Sequence, residues 1–270
     1  MDRMPDDEAL RTRLQGTARS APAAAGTLSV SLRRPGLDAV VDVRGGAPLH
    51  AASSIKLCIL ISALRAFESA VEGLDSVIAG STLRHHLAAM VTYSDNDAAN
   101  VLIEHLGMDR INAEMSQVVG LSAETRLVRR MGDAASAFAG RDNTATANDL
   151  TLLLHRLRAG ACLGPEGTKE ALRILRLPKR GEAAEYAVIA RSAPADSSSL
   201  VASKSGYIPS SLVDDYGEAA GAYVDAALVE SPSGAWWCLA VAVNGCRDDE
   251  AALDVMQEVA RLSWDAARAW

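Results

Sequence analysis

Strand-like segments stand at both ends of this 270-residue chain and helix-like segments fill its middle. That order limits the folds open to it more than any single motif does. Thr27 to Leu32 alternates as a half-buried strand, Arg33-Arg34-Pro35-Gly36 turns the chain, and Ala39 to Val43 supplies a partner strand. Strand character returns late, in the short Leu200 to Ser203, in Val224 to Glu230 and in the apolar run Ala235 to Val243. Ser231-Pro232-Ser233-Gly234 between the last two is a hairpin signal. The segments Ser54 to Ala70, Leu83 to Thr92, Ala98 to Leu106, Met108 to Val118 and Ala147 to Arg158 instead carry apolar residues at helical spacing. The first dozen residues read as a charged helix resting on Leu10 and Leu14, and Glu250 to Trp270 reads as a closing helix. The expectation is an α/β (α+β) protein whose sheet domain is assembled from residues 1–52 and 191–270. An all-helical domain, residues 53–190, is inserted between the two halves of that sheet. No internal repeat is visible.

Charge and composition then narrow the function. Lys and Arg number 27 against 34 Asp and Glu, a formal charge of −7, which argues against nucleic acid as the main partner. The strongest apolar runs, Leu57 to Ile61 and Ala235 to Val243, fall far short of the roughly 20 residues that cross a bilayer. Met1 to Gln15 is charged and is followed by no apolar stretch of export-signal length, so the expected compartment is the cytoplasm, without a membrane partner. Cys58, Cys162, Cys238 and Cys246 are scattered and read as free, packed thiols. The five histidines show no metal-ligand spacing, and neither metal nor cofactor is expected.

Three short motifs carry the chemistry. Ser53-Ser54-Ile55-Lys56 opens the apolar helix, and residues three apart share a helix face, so the Ser53 hydroxyl and the Lys56 amine can meet. A serine needs an adjacent base to become a nucleophile, and a lysine half-buried among Ile55, Leu57 and Ile59 can have its pKa lowered enough to serve. Ser94-Asp95-Asn96 follows at a helix junction, and Lys204-Ser205-Gly206 follows the short late strand. Each has an ordinary structural explanation when read alone: an N-capping serine with a surface lysine, an interhelical turn, a lysine at a strand end. Their order and wide spacing argue for a shared site.

S-x-x-K, S-D-N and K-[ST]-G in this order resemble the signature of class A β-lactamases and penicillin-binding proteins. The likeness runs from about Leu28 to the C-terminal helix, with Thr125-Arg126-Leu127 and Arg141-Asp142-Asn143-Thr144 resembling the two ends of the family's omega loop. The resemblance implies a class A β-lactamase-like fold, a mixed and mostly antiparallel sheet flanked by helices, with the active site in the cleft beside the helical domain. By the same resemblance Ser53 is the acylated nucleophile, Lys56 its base, and Ser94 the relay toward the leaving nitrogen. Asn96 binds the acylamino side chain, Lys204 and Ser205 hold a substrate carboxylate, and Gly206 lets substrate lie close to backbone. The backbone N–H groups of Ser53 and Tyr207 form the oxyanion hole.

Two departures shape the expected activity. The family's omega loop carries E-x-x-L-N, whose glutamate activates the deacylating water, whereas Met131 and Ala135 stand at the glutamate and asparagine positions here. Asp133 is a candidate replacement base. The stretch from Ser53 to Ser94 is also shorter than in class A enzymes, which points to a trimmed helical domain. The expected partner is a small-molecule acyl donor, an amide, lactam or ester with a carboxylate. The expected activity is that of a serine hydrolase of β-lactamase type, weak at degrading antibiotics. A cytosolic acyltransferase and a slowly deacylating β-lactam-binding protein are the alternatives, and a glutaminase-type serine–lysine enzyme fits the Lys204-Ser205-Gly206 motif less well.

Overall fold

The computed structural model describes residues 4–36, 40–68, 73–195, 197–212 and 220–270. The expected strand start at Ala39 and the helix end at Ala70 lie outside these residues. The chain begins with α1 (Met4–Ser20), then β1 (Thr27–Arg33), β2 (Val41–Val43) and the two-residue β3 (Leu49–His50). A single 3₁₀ turn, Ala52–Ile55, leads into α2 (Lys56–Glu68). The small β4 (Val77–Ile78) and β5 (Ser81–Thr82) precede α3 (Leu83–Thr92), α4 (Asn96–Leu106), and α5 (Met108–Glu114) with its π-helical extension Met115–Val119. The loop that follows holds α6 (Ala134–Phe138) and ends at β6 (Thr144–Ala145). Next come α7 (Ala147–Arg158), α8 (Pro165–Leu175), and the single-turn α9 (Glu182–Glu185) and α10 (Val188–Arg191). The chain closes with β7 (Leu200–Ile208), β8 (Gly221–Glu230), β9 (Trp236–Cys246) and α11 (Asp249–Ala267).

The main sheet has the order β2-β1-β9-β8-β7, so strands from both chain ends interleave as the sequence order requires. Every pairing in it is antiparallel, which corrects the expectation of a mixed sheet. The reason is connectivity. The β8–β9 pair is a hairpin closed at Ser231 to Ala235, and β9 returns antiparallel to β1, so no helical crossover joins parallel neighbours.

Alternation along β9 shows why the sheet is covered on both sides. Cys238, Ala240 and Ala242 belong to the core shared with α2, whereas Trp237, Leu239, Val241 and Val243 belong to the core shared with α1 and α11. Leu10 and Leu14 are buried in that second core. Helix α2 is buried around its whole circumference from Lys56 to Leu64, as its near-continuous apolar sequence demands.

Two expectations are revised in ways that matter for the site. Strand β7 does not stop at Ser203 but runs to Ile208, so Lys204-Ser205-Gly206 lies within the strand and pairs with Ala226, Asp225 and Val224. Helix α8 has no counterpart in the sequence reading, although Pro165 at its first turn and buried Ala171, Leu172, Ile174 and Leu175 mark it.

Candidate active site

Ser53 sits in the 3₁₀ turn that opens α2, one turn before Lys56, so the i,i+3 geometry of the motif becomes a contact: Lys56 Nζ lies 3.0 Å from Ser53 Oγ. The turn is strained. Ala52, immediately before Ser53, has φ +43°, and Ser94 has φ +58°, both left-handed for non-glycine residues. Lys56 is fully buried beneath the cleft. Its ammonium donates to the Ser94 carbonyl at 2.5 Å, to Ser94 Oγ at 3.3 Å and to Asn96 Oδ1 at 2.7 Å. Burial lowers its pKa from 10.5 to about 7, against a weaker opposing pull from Asp95. A buried amine with that pKa is substantially neutral near pH 7 and able to accept a proton.

The second motif arrives at the junction of α3 and α4. Asp95 caps α4, its carboxylate accepting from Ala98 N–H at 2.9 Å, and this fixes Ser94 and Asn96 on either side of it. The third motif arrives on β7. Lys204 reaches across to donate to Ser94 Oγ at 3.0 Å. It is fully buried, and its pKa lies well below 10.5, first through burial and then through the nearby Lys56. Ser94 Oγ therefore bridges two lysines, and Ser53, Lys56, Ser94 and Lys204 form one hydrogen-bonded chain.

Gly206 explains how β7 gets so close. A Cβ at this position would lie 2.4 Å from the Ser53 nitrogen and 2.8 Å from the Ser54 nitrogen. Only a residue without a side chain lets the strand pass against the Ser53 backbone. Ser205 points elsewhere. Its side chain is buried and its hydroxyl donates to the Ala183 carbonyl at 3.2 Å, under α9. Tyr207 lines the cleft, with its hydroxyl donating to Glu182 and its ring 4.1 Å from that of Tyr186.

The cleft over Ser53 has a volume of about 100 Å³ and continues down to Met131, Gly132, Asn143, Arg129 and His50. Met131 faces it. Its backbone is pinned in both directions by Asn100, whose amide donates to the Met131 carbonyl at 3.0 Å and accepts from its N–H at 2.8 Å. Asp133 does not line the cleft. Its carboxylate caps α6, accepting from Ser136 N–H at 3.0 Å and Ser136 Oγ at 2.6 Å, and these bonds hold its pKa below the usual carboxylate value. A capping carboxylate of low basicity is unsuited to activating water. Asp133, the expected candidate base, is thus placed as the N-cap of α6, and the Asp-x-x-Ser pattern is the signal for that role.

The loop carrying Met131 is closed by an ion pair. Arg129 Nη2 lies 2.7 Å from Asp142 Oδ1, and His50 Nε2 lies 2.8 Å from Asp142 Oδ2. Burial alone would raise the Asp142 pKa, but the hydrogen bonds from His50 and Arg129, with the Arg129 charge, outweigh it and hold it at about 2. Sequence reading missed His50, because its partner arrives only when β3 pairs with β6. Among the described residues no group of three or more His, Cys, Asp or Glu could hold a metal.

Comparisons with known proteins agree with this fold. The chain matches the Beta-lactamase enzyme family over residues 9–267. Among solved structures it is similar to PBP-A, at 21% identity over 97% of each chain with a TM-score of 0.80. It is also similar to a β-lactamase from Sphaerobacter thermophilus DSM 20745, at 20% identity over 96% of this chain and 98% of that one, TM-score 0.80. A variant of the last common ancestor of Gram-negative bacteria class A β-lactamase is 25% identical over 97% and 99% of the two chains, TM-score 0.77. A point mutant of PBP-A, described as an acyl-enzyme complex with penicillin G, superposes with a TM-score of 0.81 at 21% identity. These likenesses show the fold. No curated protein sequence matches the chain.

Proposed function

This chain belongs to the Beta-lactamase enzyme family, and from that premise we propose that it forms an acyl-enzyme on Ser53 from a small amide, lactam or ester bearing a carboxylate. The observation that carries the reading is the unbroken chain Ser53–Lys56–Ser94–Lys204. Neutral Lys56 accepts the Ser53 proton as Oγ attacks the carbonyl carbon. The proton then passes through Ser94 Oγ to the leaving nitrogen or oxygen as the C–N or C–O bond breaks, which leaves an ester on Ser53. The backbone N–H groups of Ser53 and Tyr207 receive the developing oxyanion, a contribution of about 3 to 4 kcal/mol per donor in comparable sites.

Lys204 donates to the substrate carboxylate, whose negative charge favours the protonated amine against the effect of burial, and the Ser205 hydroxyl joins it by turning away from Ala183. Asn96 serves the acylamino group on the far wall. Tyr93 and Tyr207 line the same cleft and lie beside the rest of the donor.

Deacylation is the slow step. Met131 occupies the wall from which a water would have to be activated, and a thioether cannot accept the proton. This favours a long-lived acyl-enzyme over a fast antibiotic-degrading hydrolase. An added amine or alcohol that shortens the lifetime of the adduct would identify acyl transfer as the physiological outcome. Incubation with a penicillin and with a chromogenic cephalosporin, followed by intact mass and colour together, tests the proposal. A single persistent adduct that disappears in Ser53→Ala supports it. Rapid multiple turnover, or an adduct that survives Ser53→Ala, refutes it.

A further inference from the structure

We propose that His50 is a positioning residue whose neutral ring holds the strained turn presenting Ser53, and that protonation of the ring releases that turn. The inference deepens the acyl-enzyme reading and rests on it for its kinetic consequence alone. Ala52 N–H donates to His50 Nδ1 at 2.9 Å. An Nδ1 that accepts carries no proton, so the proton of the neutral ring sits on Nε2. From there it is donated to Asp142 Oδ2, 2.8 Å away. The two contacts fix one tautomer, with each ring nitrogen matched to its partner.

The residue held by Nδ1 is the one that needs holding. Ala52 sits at φ +43°, a conformation alanine adopts only under constraint, and the next residue is Ser53. Two further ties bind the same segment to the end of the omega-like loop: Ala51 N–H donates to the Asn143 carbonyl at 2.9 Å, and β3 pairs with β6. Asp142, which holds His50, is itself clamped by Arg129. The loop that carries Met131 and the turn that carries the nucleophile are therefore joined through one imidazole.

The charged groups set against the ring are Asp142, from the segment entering β6, and Arg129 behind it. A second proton can enter only at Nδ1, where it would face the Ala52 N–H at 2.9 Å. Two donors cannot share that contact, so the bond to Ala52 is lost, while the ion pair with Asp142 remains. The turn then relaxes from its left-handed conformation, and the Ser53 hydroxyl and N–H leave the geometry that Lys56 and Tyr207 require.

Two measurements on the folded protein decide this. Nitrogen-detected NMR of the imidazoles, with His50→Gln to assign the signal, reads the tautomer and its titration. Amide exchange reads Ala52. The expected result is the Nε2–H tautomer at neutral pH, a protected Ala52 amide, and loss of that protection as the ring takes its second proton. Acylation by a fluorescent penicillin supplies the functional test. His50→Ala should slow it about tenfold, the scale of one lost hydrogen bond in the transition state. His50→Asn, whose Oδ1 can stand where Nδ1 stood but cannot be protonated, should recover most of that rate. The wild type should lose activity more steeply in acid than His50→Asn. An Nδ1–H tautomer, an unprotected Ala52 amide, or identical acid limbs in the wild type and His50→Asn would overturn the inference. A protein that no penicillin labels would refute the acyl-enzyme reading while leaving the tautomer and exchange results to decide the role of His50.

Discussion

Gly206→Ala tests the arrangement of the site through a single added methyl group. The methyl would stand 2.4 Å from the Ser53 nitrogen, about 1 Å short of the 3.4 Å at which ordinary contact begins, and 2.8 Å from the Ser54 nitrogen. Both are backbone atoms of a turn that cannot move freely. Ser54 N–H donates to the Ala51 carbonyl at 3.0 Å, and the Ser54 hydroxyl donates to the same carbonyl at 2.6 Å. Strand β7 must therefore withdraw by roughly 0.5 to 1 Å, carrying Lys204 and the Tyr207 N–H with it; overpacking of this kind destabilises by about 1 to 3 kcal/mol. For a chain of this size that lowers the melting temperature by a few degrees, at roughly 2 to 4 °C per kcal/mol. Misplacing reacting groups by about 1 Å costs on the order of a hundredfold in rate, so acylation should fall about that much in a protein that still folds. The assay is the second-order rate of labelling by a fluorescent penicillin, beside a thermal melt. Gly16→Ala on α1, where a Cβ meets nothing within 4 Å, is the control: it should leave labelling unchanged and raise the melting temperature slightly, because alanine favours a helix interior over glycine. Labelling within about threefold of wild type in a stably folded Gly206→Ala would refute the argument that β7 must touch the nucleophile's backbone.

Acylation should fall about tenfold per pH unit below pH 7, because Lys56 must be neutral to accept the proton and its pKa is about 7. The unfolded chain binds more protons at this lysine between about pH 7 and pH 10, so its contribution to stability rises with pH across that window. Lys56→Met should abolish labelling and show a shallower rise of melting temperature over the same range. Met131→Glu places a carboxylate on a backbone that Asn100 already pins beside the cleft. The adduct should then decay at least about tenfold faster by intact mass, as positioned general bases accelerate by 10²–10⁴, and an unchanged lifetime would show that the base is not what the site lacks. Asp142→Ala leaves the buried Arg129 without its carboxylate and should lower stability by about 3 kcal/mol in a thermal or urea melt.

What could be read from the sequence was whatever depends on neighbours along the chain. The Ser53–Lys56 contact follows from helical spacing, and α3 and α7 begin and end where their apolar periodicity does. The extent of β7 could not be read this way. Lys204, Ser205 and Gly206 resemble a strand terminus until β8 pairs with them and the Ser53 turn fills the space above Gly206. The role of Asp133 misled for a similar reason: a carboxylate near the expected position suggests a base, and only its bonds to Ser136 reveal a cap. His50 was invisible because one of its partners, Asp142, lies far along the chain and the other is the backbone N–H of Ala52, which no side-chain pattern announces. The order of the three motifs nonetheless sufficed for the fold, through their resemblance to the signature of class A β-lactamases and penicillin-binding proteins.

The interleaving of the sheet has a consequence for biosynthesis. Thr27 of β1 pairs with Asn244 of β9, so the first long strand to leave the ribosome waits for nearly the last. At about 5 to 20 residues per second that interval is roughly 10 to 40 s. Throughout it the nascent chain presents β1 with an open edge, and an α2 whose sheet-facing side has nothing to rest on. Translation of this protein is thus a period of exposure, and chains released before β9 is complete are expected to aggregate rather than settle into a smaller fold.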